Sequence, residues 1–269
     1  MKNLKFTLYL LLGAFAFILS CSSDSENTDD ADDIDVISDN TDDITQAVST
    51  PLSAFDEFNP DAVTVSFDGD EITIESNGLP NHTSPYWDES DDLYIDQEYG
   101  DHLTPGRINS GNFIVTVSSA PELAASSSAT GLGPIGISVT GAPIFNDQER
   151  ENLPLDLETT TGFDYAGGHV GPGGYHYHIE SADVPENTVL SHDDEQLVGI
   201  MADGFLLYGR REMDGSYPTD LDESGGHVSS TQHSESEAFY HYHIINELYI
   251  NSLFLLFGEN LKGTPNSIL

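Results

Sequence analysis

Two stretches of this chain carry the same unusual pattern, and few folds can satisfy it twice. The first reads Phe163-Asp-Tyr-Ala-Gly-Gly-His169-Val, then Gly-Gly-Tyr175-His176-Tyr177-His178-Ile. The second reads Leu221-Asp-Glu-Ser-Gly-Gly-His227-Val, then Phe239-Tyr240-His241-Tyr242-His243-Ile. An aspartate, Asp164 or Asp222, stands five residues before the first histidine of each block. The gap from that histidine to the His-x-His pair is seven residues in one block and 14 in the other. Matching identities around a gap of free length describe two strands joined by a loop, in both blocks.

Strand geometry then assigns the side chains. Successive residues of a strand point to opposite faces, so His176 and His178 share one face while Tyr175 and Tyr177 share the other. The same holds for His241 and His243 against Tyr240 and Tyr242. Two imidazoles on one face can converge on a single ion, and His169 or His227 from the neighbouring strand can complete a three-histidine set. The pattern therefore points to metal ligation by His169, His176, His178, His227, His241 and His243. It leaves open one shared site across a pseudo-two-fold or two separate ones. Three histidines with an open position would be a catalytic arrangement, whereas four closed ligands would be structural.

Donor chemistry narrows the metal. Cys21 is the only cysteine and only three methionines occur, so a sulfur-rich site is excluded. Imidazole suits zinc, copper, iron and nickel, while calcium and magnesium prefer oxygen. Zinc or copper(II) is the expected cofactor for a compartment outside the cytoplasm.

That compartment follows from the amino terminus. Lys2 and Lys5 precede an apolar run from Phe6 to Leu19, which ends in Ile18-Leu19-Ser20-Cys21. A basic start, a short apolar core and a small residue before the cut describe a signal peptide rather than a membrane span. The cysteine after Ser20 adds a likeness to a bacterial lipobox. The expectation is a signal peptide over 1–20 and lipidation at Cys21, giving a membrane-anchored protein of the cell envelope, on the outer membrane or cell surface. Residues 22 to 50 are acidic, with no Lys, Arg or aromatic residue, and cannot bury enough apolar surface to offset chain entropy. Residues 21–57 are accordingly read as an acidic disordered tether.

Over the whole chain 47 acidic residues face 7 basic ones, for a net charge of −40. Such a surface repels phosphate backbones, so nucleic acid is excluded as a partner. The substrate, whether a small molecule or a glycan, is not legible.

Residues 58–269 read as a single all-β domain, mainly antiparallel, sandwich or barrel-like, with long loops. Val63–Phe67 and Ile72–Glu75 flank Asp-Gly-Asp as a hairpin. Further strands are expected at Asn112–Val117 and Ile135–Val139, a second hairpin at Leu197–Met201 and Phe205–Tyr208 around Asp203-Gly204, and a buried closing strand at Leu248–Phe257. Only Asp147–Asp156 looks helical. Gly131-Leu-Gly-Pro-Ile-Gly136 matches a dinucleotide fingerprint literally, but it contains proline and leads into a strand rather than a helix. His102, His192 and His233 fall outside the repeated pattern and are expected in surface loops.

The two blocks, at residues 163–179 and 221–245, resemble the YHYH domain family. Asn77-Gly-Leu-Pro-Asn-His82, Ile135-Gly-Ile-Ser-Val-Thr-Gly141, Met201-Ala-Asp-Gly-Phe205, Tyr208-Gly209 and Asp220-Leu-Asp-Glu223 carry the same likeness, in order, across most of residues 61 to 245. Leu206 stands where the family usually has proline. The resemblance implies a secreted domain and brings no established reaction. It adds His82 and Asp203 as candidate site residues.

Three functions are compatible with these residues. In a metal-dependent hydrolase or oxidase, Asp164, Asp203 or Asp222 would act as general base or orient ligands. A non-catalytic module would capture metal, glycan or protein at the cell surface. A metal-free β-scaffold would use the histidines as a structural network.

Overall fold

Alternating apolar residues from Val63 onward do form the expected hairpin. Strands β1 (Val63–Asp68) and β2 (Glu71–Ser76) pair antiparallel around Gly69, whose φ of 61° belongs to the turn. Strand β3 (Phe113–Ser118) pairs with the other side of β2. The computed structural model describes residues 49–96, 103–181, 195–234, 236–258 and 260–269, all within one compact unit, Thr45–Leu269. The signal peptide, Cys21, most of the acidic tether, His102 and His192 lie outside the described residues.

The remaining strands, in chain order, are β4 (Gly136–Ser138), β5 (Pro143–Ile144), β6 (Gln148–Glu149), β7 (Leu153–Pro154), β8 (Gly168–Gly171) and β9 (Gly174–Tyr177). There follow β10 (Ile179–Ser181), β11 (Leu197–Met201), β12 (Leu206–Tyr208), β13 (Gly226–Ser229), β14 (Phe239–His243), β15 (Leu248–Ile250) and β16 (Leu253–Leu255). Eight of them form the main sheet in the order β13-β14-β12-β11-β4-β5-β9-β8. That order reads as two copies of one unit facing each other across the β11–β4 pair. In each copy a hairpin (β4–β5 or β11–β12) pairs in parallel with the inner strand of a second hairpin (β8–β9 or β13–β14). The β5–β9 and β12–β14 pairs are thus parallel, two exceptions to a mainly antiparallel expectation. A parallel pair needs a crossover connection, and each crossover here delivers a residue to the site described below.

The main sheet is covered on both faces. Ile72, Ile74, Val115 and Val117 of the three-stranded sheet pack with Ile137, Leu197, Ile200, Leu206, Tyr208 and Phe239 of the main sheet, making a sandwich. The opposite face buries Tyr175, Tyr177, Tyr240 and Tyr242 with Ile144, Val198, Leu207, Trp87 and Phe257. Because the tyrosines alternate with the histidines, this core fixes which way the imidazoles point. The fold is mostly β, and the main sheet does not close into a barrel.

Three local expectations are corrected. Leu52–Glu57, assigned to the tether, is a 3-10 helix that buries Ala54 and Phe55 in the sandwich core. Asp147–Asp156 is not helical: it holds the β6–β7 pair around a three-residue 3-10 turn, and the one described α-helix is α1 (Leu157–Thr160), capped by the Asp156 carboxylate. Leu248–Phe257 is a hairpin, β15–β16, with Asn251 at φ 51° in the turn, and Leu248 lies on the surface.

Candidate metal centres

In the first half, the β8–β9 hairpin sets His169 directly opposite His176. Alternation along β9 sends Tyr175 and Tyr177 into the core and turns His176 and His178 to the other face. The Gly167–Gly168 pair is dictated by close approach. Gly167 has φ of 80° and lies against the Ile179 carbonyl, while a Cβ on Gly168 would collide with the Tyr175 hydroxyl. The parallel pairing of Ile144 with Tyr177 then lays the chain that follows β5 beside β9. That chain carries Glu149. The outcome is a quartet, Glu149, His169, His176 and His178, whose ligand atoms all lie within 4.8 Å of one another.

The second half repeats this construction with Glu212, His227, His241 and His243, again within 4.8 Å. His227 sits opposite His241 in the β13–β14 register. Glu212 follows β12 as Glu149 follows β5. The two quartets share no residue, so the duplicated motif makes two separate groups, each of which could hold a metal ion.

Ring orientation identifies what converges. His178 Nδ1 lies 2.5 Å from the Asn146 carbonyl and His243 Nδ1 lies 2.7 Å from that of Gly209. His176 and His241 place Nδ1 3.0 Å from the carbonyls of Gly174 and Phe239. A carbonyl can only accept, so all four Nδ1 atoms carry the proton and all four Nε2 atoms present lone pairs. These lone pairs face one another and a carboxylate. The Nε2 atoms of His169 and His176 are 3.1 Å apart, and those of His241 and His243 are 3.0 Å apart. Glu149 Oε1 lies 2.9 Å from His169 Nε2 and 3.3 Å from His178 Nε2, and Glu212 Oε1 lies 3.0 Å from His227 Nε2. Both Glu149 Oε1 and His178 Nε2 are buried without a hydrogen bond among the described residues. Acceptors crowded together in a dry pocket repel unless a cation sits among them.

The imidazole side of each quartet is shielded from solvent. All six imidazoles are buried. Phe145 stacks on His176 at 3.8 Å and Phe163 lies parallel to His178 at 5.3 Å, while Tyr208 and Phe239 flank His241 at 5.2 and 5.0 Å. Burial holds His176 and His241 well below the ordinary histidine range, assisted by the neighbouring imidazoles, and takes His243 down to about 4. Burial would raise Glu149, but the imidazoles of His169 and His178 outweigh it and hold the carboxyl below its usual range. Burial thus favours the neutral imidazole at His169, His176, His241 and His243, the form that binds a cation.

The aspartates expected to serve catalysis do not join either quartet. Asp164 accepts the backbone N–H groups of Ala166 and Gly168 and the hydroxyls of Tyr175 and Ser84. Asp222 likewise accepts from Ser224, Gly226 and the Tyr240 hydroxyl. Both shape the turn into the Gly-Gly-His strand and anchor a core tyrosine. Asp203 accepts the Tyr242 hydroxyl and the Gly263 N–H on the tyrosine side of the sheet. His82 places Nε2 2.9 Å from the Tyr177 hydroxyl, also on that side. His233 is held at both ring nitrogens, with Nδ1 2.8 Å from the Tyr208 hydroxyl and Nε2 2.8 Å from Glu57.

The fourth members of the quartets, Glu149 and Glu212, escape the sequence reading, although a signal for them exists. Gly136-Ile137, Gly141 and Glu149 recur as Gly199-Ile200, Gly204 and Glu212 with identical spacing and no gap. The internal repeat thus begins at β4 and β11, well before the histidine blocks.

The family model described as YHYH protein matches residues 114–222. The matched span contains the whole first quartet and Glu212 of the second. No curated protein matches the chain, and no solved structure does either.

Proposed function

Starting from a chain with a YHYH domain at residues 114–222, we propose that it is a metal-binding protein of the cell envelope with two independent His3Glu centres. Each centre holds one divalent transition ion. The observation that carries this reading is the tautomer pattern: imidazole lone pairs fixed by main-chain carbonyls converge with a carboxylate, twice, at equivalent places of an internal repeat.

Zinc fits best. Ligands about 2.0–2.1 Å from zinc stand about 3.3 Å apart in a tetrahedron, close to three of the six separations in the first quartet, 2.9, 3.1 and 3.3 Å. Copper(II) is the other ion suited to this donor set outside the cytoplasm, though it prefers a flatter arrangement. Three neutral imidazoles and one carboxylate leave a net charge of about +1 on the loaded centre, which an acidic protein accommodates readily. Four protein ligands close a four-coordinate ion, so each centre is read as structural or metal-holding: it ties two hairpins and a crossover together.

A second reading rests on one observation. The carboxylates are the partly exposed ligands, 28% for Glu149 and 16% for Glu212, while the imidazoles are almost wholly buried. An ion that takes five or six ligands would keep a position open on that side, where hydrolysis or oxidation of an incoming molecule would occur. The envelope location rests on the leader and on Cys21 as the lipid-bearing residue, which would anchor the protein to the outer membrane or cell surface. Loss of the membrane fraction on Cys21→Ala would support the anchor, and its retention would refute it.

The deciding experiment is metal analysis on protein purified without a His-tag. Wild type is expected to carry two ions per chain, and His176→Ala and His241→Ala one each. Absence of stoichiometric metal from wild type overturns the proposal in favour of the metal-free scaffold.

A further inference from the structure

The two quartets repeat the same ligands, but their immediate surroundings differ. His227 Nδ1 lies 2.8 Å from the Asp220 carboxylate, which itself stays at the surface. Its counterpart His169 has a buried Nδ1 with no hydrogen-bond partner among the described residues. The position equivalent to Asp220, two residues before the turn aspartate, is Gly162 in the first half, which offers no side chain at all. The carboxylate ligand differs as well. The Ser229 hydroxyl lies 3.1 Å from both Glu212 Oε2 and His227 Nε2, whereas the equivalent residue in the first half is Gly171. A side chain at Gly171 would collide with the His176 ring, so no counterpart of Ser229 can be accommodated there.

We infer that the second centre is the tighter metal site, filled first, and that Asp220 is the positioning residue that sets this order. The inference rests on the two-centre reading above. A carboxylate on the outer nitrogen of a ligating imidazole locks its tautomer and ring orientation, and it adds negative character to the donor. Three of the four ligands of the second centre thereby have a fixed Nδ1–H and the fourth is steadied by a hydroxyl. In the first centre no outer carboxylate holds the ligating tautomer of His169, while Glu149 Oε1, 2.9 Å from Nε2, draws the proton to that nitrogen, so selecting the ligating form costs affinity. Loss of such an outer partner typically lowers metal affinity about 10–100-fold.

The test is a zinc titration of the metal-stripped full chain against a chromophoric chelator. Wild type is expected to show two affinity classes at least about tenfold apart. His176→Ala should keep only the tight class, and His241→Ala only the weak one. Asp220→Asn should weaken the tight class about 10–100-fold while leaving the weak class unchanged, and Asp220→Glu should recover part of the loss. A general folding defect would move both classes together, so a selective change reports the metal environment. Two equal classes, a tight class that survives in His241→Ala, or an Asp220→Asn variant with wild-type affinities would overturn this inference alone. No bound zinc at all would overturn the two-centre reading and this inference with it.

Discussion

The Tyr242 hydroxyl donates to Asp203 Oδ2 at 2.6 Å, at the place where the Tyr177 hydroxyl meets Thr140 Oγ1 at 3.0 Å in the other half. Asp203 and Thr140 each precede the glycine of the equivalent hairpin turn, Gly204 at φ 92° and Gly141 at φ 112°. One half thus anchors its tyrosine on a buried carboxylate, the other on a neutral hydroxyl. Burial raises the Asp203 pKa even against the donors around it. Tyr242→Phe should therefore cost about 1.5–3 kcal/mol of stability, the range for a hydrogen bond to a charged group. Tyr177→Phe should cost about 0.5–1.5 kcal/mol, since the Thr140 hydroxyl carries no charge. Urea unfolding of both variants checks this, and an equal loss would contradict the asymmetry.

The carboxylate ligands can be neutralised with little change in volume. Glu149→Gln should abolish or strongly weaken metal binding in the first centre while leaving the second occupied, and Glu212→Gln the reverse. An amide nitrogen carries no negative charge toward an ion and repels it through its hydrogens. Metal counts per chain for each variant decide the matter. If both variants keep two ions, the carboxylates are not ligands.

Acid sensitivity follows from the buried imidazoles. Burial lowers His169, His176, His241 and His243 from an unfolded value near 6.5, His243 to about 4. The native state resists protons that the unfolded chain accepts, so the stability contributed is present above about pH 6.5 and is lost as pH falls toward 4. Melting temperatures of metal-free protein across pH 8 to 4.5 should fall most steeply inside that window. Loaded protein should also release its ion there, because protons compete for the same lone pairs. A flat profile would mean that the imidazoles are not held neutral.

Close packing makes the second Gly of each Gly-Gly-His unexchangeable. A Cβ at Gly226 would collide with the Tyr240 hydroxyl, as one at Gly168 would with that of Tyr175. Gly226→Ala should destabilise the protein by about 1–3 kcal/mol, as overpacking in a well-filled core does. It should also lower occupancy of the second centre, because His227 is the next residue. Calorimetry together with metal content tests it, and a variant with unchanged values of both would refute the packing argument.

The histidine alternation alone settled a good deal. Period-two spacing puts imidazoles on one face and tyrosines on the other whatever the rest of the chain does, and the repeated block demands paired strands. The six histidines, the β-hairpins around Gly69 and Gly204, and the all-β class were legible for that reason. Local pattern could not choose among 47 carboxylates, nor decide between one centre and two. Those outcomes depend on the parallel pairings of β5 with β9 and of β12 with β14, whose register is set by core packing between segments far apart in the chain. Only that register brings Glu149 and Glu212 onto the imidazoles. The same tertiary arrangement leaves Asp164, Asp203 and Asp222 holding tyrosine hydroxyls on the other side of the sheet.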